Sequence, residues 1–303
     1  MATDEVTVGR RRVRLGHPDK VLFADPGISK AELADHYRAV ARLMLPHIRS
    51  HPLALQRFPD GIDANGFLQK QRPESAPDWV GAATVDREQG GPLTMLTCDD
   101  TASLVYLADQ AVVTLHAWTS TADQPRRPTR MIFDLDPPDD DSFDRVRSAA
   151  HALRALLDEL GVPGYPMTTG SRGLHVVVPL SGGDDVDDVR AVARQLADTL
   201  TDRYPDELTT EVRKQSRRGR LFVDTLRNAY AQHAVAPYSP RPKPGAPVAT
   251  PLHWDELDDR RLDARRYTVR TIGDRLSTVD NPWRDMNRHA RSLSSIRRRL
   301  ATL

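Results

Sequence analysis

Residues 131–137 read Met131-Ile132-Phe133-Asp134-Leu135-Asp136-Pro137, an apolar strand that ends in two carboxylates. Side chains two apart on a strand share a face, with Cα atoms ~6.6 Å apart at the usual rise. Asp134 and Asp136 therefore project together, while Phe133 and Leu135 turn the other way into a core. Two carboxylates at the end of a buried strand repel each other unless a cation sits between them. Hard divalent ions such as Mg²⁺ take oxygen ligands and keep positions open for substrate phosphates. A third acid arrives on another strand in Leu221-Phe222-Val223-Asp224, with Leu221 and Val223 inward and Phe222 and Asp224 outward. Three carboxylates can hold two ions ~3.5–4 Å apart, the arrangement used for in-line phosphoryl displacement. Standing alone, Asp-x-Asp is equally well an acidic loop after a strand, with Asp139, Asp140 and Asp141 as ordinary solvated residues.

Between the acid strands lies Thr168-Thr169-Gly170-Ser171-Arg172-Gly173-Leu174-His175. Its two glycines let backbone N–H groups approach an anion, and its hydroxyls add donors. Arg172 offers a cationic fork suited to phosphate. His175 shares a strand face with Val177, opposite Leu174, Val176 and Val178. Such a histidine is often a core residue satisfied by a neighbour, but this one follows a glycine-hydroxyl-arginine turn between two carboxylate strands. Just before Asp224 comes the basic run Arg213 to Arg220, including Arg217. Cations near both ends of the acid constellation would balance a triphosphate, and some of them are simply solvated.

Outward from this centre, Phe143 to Leu160 reads as an amphipathic helix stopped by Gly161, and Val186 to Leu200 as another. Leu174 to Val178 and Leu221 to Val223 read as strands. The β-α-β-α-β order implies an α+β sheet with helices over a face. Thr121 to Arg130 is a polar, proline-containing connector between two halves. In the first half, Ser29 and Glu32 have capping-box spacing, with Ile28 and Leu33 placed for a hydrophobic staple. The stripe Leu33, Tyr37, Val40, Leu43 and Leu45 then runs to Pro46. Phe58-Pro59-Asp60-Gly61 is a turn between short extended pieces. Ala102 to Leu115 carries apolar residues at helical spacing. Beyond a proline-rich loop after Tyr238, a helix is expected near Asp255, and Met286 to Leu303 reads as a basic helix or tail.

A chain of 303 residues can bury a substantial core in one large or two modest domains. No apolar run reaches the ~18 residues that span a bilayer, and the basic N-terminus has no apolar stretch behind it, so neither membrane nor secretion is expected. Cys98 is the only cysteine and can form no internal disulfide, which makes the cytoplasm the default compartment. The net charge of +1 argues for nothing by itself, but its distribution does. Basic blocks at Arg10–Arg14, Arg213–Arg220 and Arg284–Arg299 stand apart from acidic blocks at Asp136–Asp144 and Asp184–Asp188. Separate blocks of opposite sign suit a cationic groove beside an anionic metal pocket, or else are solvated faces.

The order Phe133-Asp134-Leu135-Asp136-Pro137, Thr169-Gly170-Ser171-Arg172-Gly173-Leu174-His175 and Phe222-Val223-Asp224 resembles the three motifs of the archaeo-eukaryotic primase superfamily. Within it the likeness is to the polymerase domain of bacterial DNA ligase D and its stand-alone relatives, used in end joining and gap repair. It extends to Asp19-Lys20-Val21-Leu22-Phe23, Arg57-Phe58-Pro59-Asp60-Gly61, Leu115-His116-Ala117-Trp118, Tyr238-Ser239-Pro240-Arg241 and Thr250-Pro251-Leu252. The resemblance implies a primase-polymerase fold. An N-terminal α/β module with DNA-end-binding elements (1–125) would pack on a catalytic module like the RNA-recognition motif (126–285), followed by a basic helix or tail (286–303). It implies two Mn²⁺ or Mg²⁺ ions on Asp134, Asp136 and Asp224. Arg57, His116, Thr169, Ser171, Arg172, His175, Arg217 and Arg241 would serve the nucleotide. His17, Lys20 and Lys30 would serve the 5′-phosphate of gapped or broken DNA.

The implied activity is addition of nucleotides, with ribonucleotides preferred, to a primer 3′-hydroxyl. The implied partners are DNA, nucleoside triphosphates, a separate DNA ligase and a Ku-type end-binding protein, in a cytoplasmic, nucleoid-associated setting. Three positions depart from the pattern. Gln56 stands where a lysine is common, Arg227 where a glutamine is common, and His17 where an asparagine is frequent. The Lys-x-Asp-Gly signature of a ligase nucleophile is absent from these residues. Two other readings of the acids compete: a haloacid-dehalogenase-like phosphatase using Asp134 and Asp136 as nucleophile and proton donor, and a non-catalytic DNA-binding scaffold.

Overall fold

The structure is a computed structural model that describes residues 3–140 and 143–302. Asp141, expected above to be solvated, lies outside the described residues. Two compact units form. The first comprises Met1–Asp123, His233–Ala249 and Tyr267–Asp280, and the second Gln124–Gln232, Thr250–Arg266 and Asn281–Leu303. The sequence reading ran its second module without interruption from 126 to 285. In the structure, 233–249 and 267–280 cluster instead with the N-terminal unit, and 286–303 clusters with the second. No helix among the described residues is long and apolar enough to cross a membrane.

The second unit is built on a sheet ordered Tyr165–Thr168, Leu174–Pro179, Arg130–Asp136, Leu221–Asp224, Leu208–Thr209. Neighbours are antiparallel except the last pair, which is parallel. Setting the short Leu208–Thr209 edge aside, the chain order is β-α-β-β-α-β, the split βαβ arrangement. Sequence reading missed Tyr165–Thr168. This strand is four residues long and contains Pro166, which breaks the valine-rich pattern yet is tolerated on the outermost strand.

Alternation along the strands decides what faces the helices. Phe133, Leu135, Leu174, Val176, Val178, Leu221 and Val223 are all buried, and the helices Phe143–Glu159 and Val186–Arg203 pack on the sheet. Those helices bury Val146, Ala149, Ala150, Leu153, Leu156 and Leu157, and Val189, Val192, Ala193, Leu196 and Leu200, the stripes visible in the sequence. Gly161 ends the first in the left-handed region at φ 56°. The helix expected near Asp255 is a single 3-10 turn, Trp254–Asp258. The C-terminal segment is a 3-10 turn, Met286–His289, followed by a helix, Leu293–Leu300, that buries Leu293, Ile296 and Leu300. Arg297 pairs with Asp188 and Arg299 caps the Leu160 carbonyl, so the segment is docked rather than a solvated tail.

The first unit holds a sheet ordered His233–Val235, Val112–Trp118, Leu53–Arg57, Phe67–Gln69. Its long helix, Lys30–Met44, starts with the expected capping box: Glu32 N donates to Ser29 Oγ, and Ser29 N donates to Glu32 Oε2. The helical spacing from Ala102 is real only to Asp109. Ala111 then turns the chain at φ 54°, and the β-branched run Val112-Val113-Thr114 opens a central strand instead of continuing the helix. Both elements are mostly apolar and mostly buried, so periodicity could not separate them.

His36, buried on the long helix, donates Nε2–H to the Tyr238 carbonyl at 2.9 Å. Burial pushes its pKa from 6.5 down to about 4, against the smaller opposing effect of that hydrogen bond. The unfolded chain therefore takes up this proton at higher pH than the folded one. Stability from neutral His36 is complete above pH 6.5 and is lost as pH falls toward 4. The loss amounts to about 3 kcal/mol at the acid end. Denaturant unfolding at pH 7 and pH 4 should show it in the wild type, and His36→Gln should lack that part of the pH dependence.

Candidate active site

Sheet register assembles the site. Asp134 lies directly opposite His175 on one neighbouring strand and Asp224 on the other. Opposed residues share a face, so His175, Asp134 and Asp224 form a row across three strands. Asp136, two residues along, sits on the same face opposite Phe222. The third acid, 90 residues from Asp134 in the chain, is therefore its direct cross-strand neighbour.

Arginines and an imidazole stand against Asp134 and Asp136. Arg172 Nη2 and Arg217 Nη1 donate to the two oxygens of Asp136, each at 3.1 Å. His175 Nε2 lies 3.5 Å from Asp134 Oδ2, and Arg227 Nε lies 3.8 Å from the same oxygen. Arg217 is the one member of its basic run that reaches the acids. Its guanidinium stacks 4.0 Å above the Phe222 ring and also donates to the carbonyls of Glu211 and Val212. Asp224 is only 9% exposed and accepts from Leu226 N at 2.7 Å. Burial pushes its carboxyl above the usual range, and the charges of Asp134 and Asp136 push the same way against Leu226 N and Arg227.

This donor set suits hard divalent cations. Three carboxylates share a face, and the innermost is desolvated and repelled by the other two, a strain that a cation between them relieves. Among the described residues no three His, Cys, Asp or Glu side chains already form a cage around one point. Asp136 is turned to its two arginines and Asp224 to Leu226 N. Cation binding must therefore compete with, or rearrange, the arginine contacts.

The glycine turn is pressed against the acid strand. A Cβ on Gly173 would lie 2.2 Å from the Leu135 carbonyl oxygen, so the turn can approach between Asp134 and Asp136 only without a side chain there. Thr169 closes the turn by donating both its N–H and its hydroxyl to the Gly173 carbonyl, and Ser171 N donates to Thr169 Oγ1. From outside, Arg265 donates Nε to the Ser171 carbonyl at 2.7 Å and Nη2 to Asp140 at 2.8 Å. Arg172 Nε adds a contact of 3.8 Å to Asp140. Asp140 is thus no idle solvated acid, contrary to expectation, but an anchor for two arginines. Nothing in the local sequence marks Arg265, whose role comes from tertiary placement.

The second unit thus brings together Asp134, Asp136, Asp224, Thr169, Ser171, Arg172, His175 and Arg217. The remaining candidates belong to the first unit. Arg57 donates to the Gln110 carbonyl at 2.8 Å and to Gln69 Oε1 at 2.7 Å, and it stacks on the exposed Phe67. His116 sits on the Val112–Trp118 strand with its ring centre 5.3 Å from that of His233. Arg241 N donates to the Pro247 carbonyl. Lys20 is partly exposed and pairs with Asp60 at 2.8 Å. Lys30 is buried, and its ammonium donates to the Gly16 carbonyl at 2.7 Å and lies 3.4 Å from Asp109. His17 adopts φ 53°, a left-handed conformation in which histidine and asparagine are both enriched. That explains why the asparagine expected here can be replaced by histidine.

Comparison with known proteins agrees with this architecture. Residues 29–283 match the family described as LigD, primase-polymerase domain. The multifunctional non-homologous end joining protein LigD of Mycolicibacterium smegmatis is 34% identical over 276 residues, covering 89% of this chain and 36% of that protein. The bifunctional non-homologous end joining protein LigD of Bacillus subtilis is 30% identical over 272 residues, covering 89% of this chain and 43% of its own length. The chain therefore spans less than half of these relatives. The polymerase domain from Mycobacterium tuberculosis Ligase D, solved in complex with DNA, superimposes with a TM-score of 0.86 at 31% identity. That match covers 93% of this chain and all of the other. On the motifs, the sheet order and these matches together, the chain belongs to the LigD primase-polymerase domain family, a family of DNA nucleotidyltransferases.

Proposed function

We propose that this chain is a divalent-metal-dependent primase-polymerase that extends a primer 3′-hydroxyl at DNA gaps or ends, in repair by end joining. The observation that carries the reading is the cross-strand row of His175, Asp134 and Asp224, with Asp136 held between Arg172 and Arg217. Asp134, Asp136 and Asp224 would hold two Mn²⁺ or Mg²⁺ ions, which supply Lewis acidity and charge neutralisation when bound. In the reaction the primer 3′-hydroxyl gives up its proton to water, and its oxygen bonds to the α-phosphorus of the incoming nucleotide as the bond to the bridging oxygen breaks, releasing pyrophosphate. Arg172 and Arg217 exchange their carboxylate partner for triphosphate oxygens, for which a planar guanidinium is equally suited. His175 offers an imidazole N–H at the same face, and the Thr169–Gly173 turn holds it and Arg172 in place. Arg57, His116 and Arg241 are nucleotide contacts in this reading, by the family likeness. The phosphatase alternative loses its ground with the family assignment.

Ribonucleotides are the preferred substrates in this proposal. Extension across a one-nucleotide gap with ribo- and deoxyribonucleotides supplied in turn tests it: a higher kcat/KM is expected for the ribonucleotide, and equal values would remove that preference. For the DNA end, the Lys20 ammonium would exchange Asp60 for the 5′-phosphate, with His17 beside it in the same loop. Lys30, whose ammonium meets the Gly16 carbonyl and Asp109, is the second 5′-phosphate contact in this reading, by the family likeness. Lys20→Ala should weaken binding to a gap bearing a 5′-phosphate and lower the salt-dependence slope by about one. Fluorescence anisotropy on phosphorylated and unphosphorylated gaps checks this, and a wild type that ignores the phosphate would refute it. The partners in this setting are gapped or broken DNA, a separate ligase and a Ku-type protein at the nucleoid, consistent with relatives named for end joining.

A further inference from the structure

Asn228 is completely buried and stands at the end of the turn that follows Asp224. The strand Leu221–Asp224 pairs with the acid strand only along Asp134–Asp136 and then departs through the 3-10 turn Leu226–Asn228. Ile132, two residues before Asp134 and on the same face of its strand, would lose its partner on that side. The Asn228 carboxamide takes the place of the missing peptide. Ile132 N donates to Oδ1 at 2.8 Å, and Nδ2 donates back to the Ile132 carbonyl at 2.8 Å. The second Nδ2 proton goes to the Thr225 carbonyl at 2.9 Å. One side chain thus fastens the turn beginning at Asp224 to the strand bearing Asp134. At the other end of that turn, Asp224 itself accepts from Leu226 N.

We infer that Asn228 is a positioning residue. It sets the spacing of Asp224 against Asp134, and so the affinity of the acid cluster for divalent cations, without touching substrate. A buried asparagine that merely satisfied the core would need no particular strand. This one bonds both backbone groups of a single residue next to the acids, and an apolar replacement would leave two buried backbone groups of that residue unpaired. Groups that orient metal ligands without touching the metal typically cost roughly ten- to a hundredfold in metal affinity when removed.

The inference rests on the proposed metal dependence, and the test separates the two. Mn²⁺ is titrated calorimetrically into the free protein, without DNA or nucleotide, for wild type, Asp134→Ala, Asn228→Ala and Asn228→Ser. Unfolding midpoints are measured beside it, and kcat and nucleotide KM are read in primer extension. Asn228→Ala should bind Mn²⁺ about tenfold more weakly, in the range seen when groups that orient metal ligands are removed. Its kcat should fall by at least that factor with KM nearly unchanged, and raised Mn²⁺ should recover part of the loss. Asn228→Ser, able to keep one of the bonds, should fall between. If wild type binds no more Mn²⁺ than Asp134→Ala, the metal reading itself fails. If wild type binds and the folded Asn228 variants bind equally well, Asn228 is only structural. Failure of both variants to fold overturns the inference as well, because the side chain would then act on the fold rather than on the acids.

Discussion

Asp134→Ala should lower primer extension by about a thousandfold or more while leaving the protein folded. Removing a ligand forfeits several kcal/mol of charge stabilisation in the transition state, and each ~1.4 kcal/mol is a factor of ten. The fold has little to lose. Asp134 projects from the sheet face opposite the buried Phe133 and Leu135, so its truncation takes nothing out of the packing between sheet and helices. Its removal also takes away one of the charges that raise the Asp224 pKa. The unfolding free energy should change by no more than about 1 kcal/mol. Circular dichroism melting beside single-turnover extension separates the effects, and near-normal extension by the variant would reject the site.

The second large effect concerns Asp224, where activity and stability should move in opposite directions. Asp224→Asn should abolish extension to a similar degree, yet raise the melting temperature of the metal-free protein. Asparagine can still accept from Leu226 N, and it removes a charge that burial and two neighbouring carboxylates disfavour. The sign follows from the raised folded-state pKa. Relative to the unfolded chain, wild type is at no disadvantage below the unfolded pKa, and it loses stability as pH rises through the folded one. The two melting curves should therefore converge in acid and separate toward neutral pH. Adding Mn²⁺ should stabilise wild type and not the variant. A metal-free variant less stable than wild type at neutral pH would show that the carboxylate contributes favourable contacts beyond the bond to Leu226.

These two carboxylates also show what could be read from sequence and what could not. The shared face of Asp134 and Asp136 follows from a period of two, and a strand ending in Asp224 follows from Leu221-Phe222-Val223. The direct opposition of Asp134 and Asp224 depends on register between strands far apart in the chain, which no local pattern encodes. The Thr169–His175 turn was legible because glycine and hydroxyl residues carry their own backbone chemistry. Its compression against Leu135 became visible only when Gly173 was placed. The stripes of the helices flanking the acid strand are clear, whereas Val112 to Leu115 reads as a continuation of the helix before it, because a buried apolar run has no period to betray it. Tyr165–Thr168 was hidden by its proline.

The roles of Asn228 and Arg265 arise from contacts 96 and 94 residues distant, to Ile132 and Ser171. No spacing rule reaches that far. The return of 233–249 and 267–280 to the first unit leaves no compositional mark either. His116, Arg57, Arg241, His17, Lys20 and Lys30 entered only through family likeness, since nothing in their local patterns sets them apart from ordinary strand, turn and loop residues.

The most direct test is the divalent-cation dependence of primer extension across a short gap. Mn²⁺ is titrated from chelated buffer upward, with wild type and the Asp134, Asp136 and Asp224 variants in parallel. Extension should be absent in chelator, rise with Mn²⁺ for wild type alone, and stay at background for all three variants. Extension that persists in chelator, or that survives loss of Asp224, would contradict a site built on three acids around divalent ions.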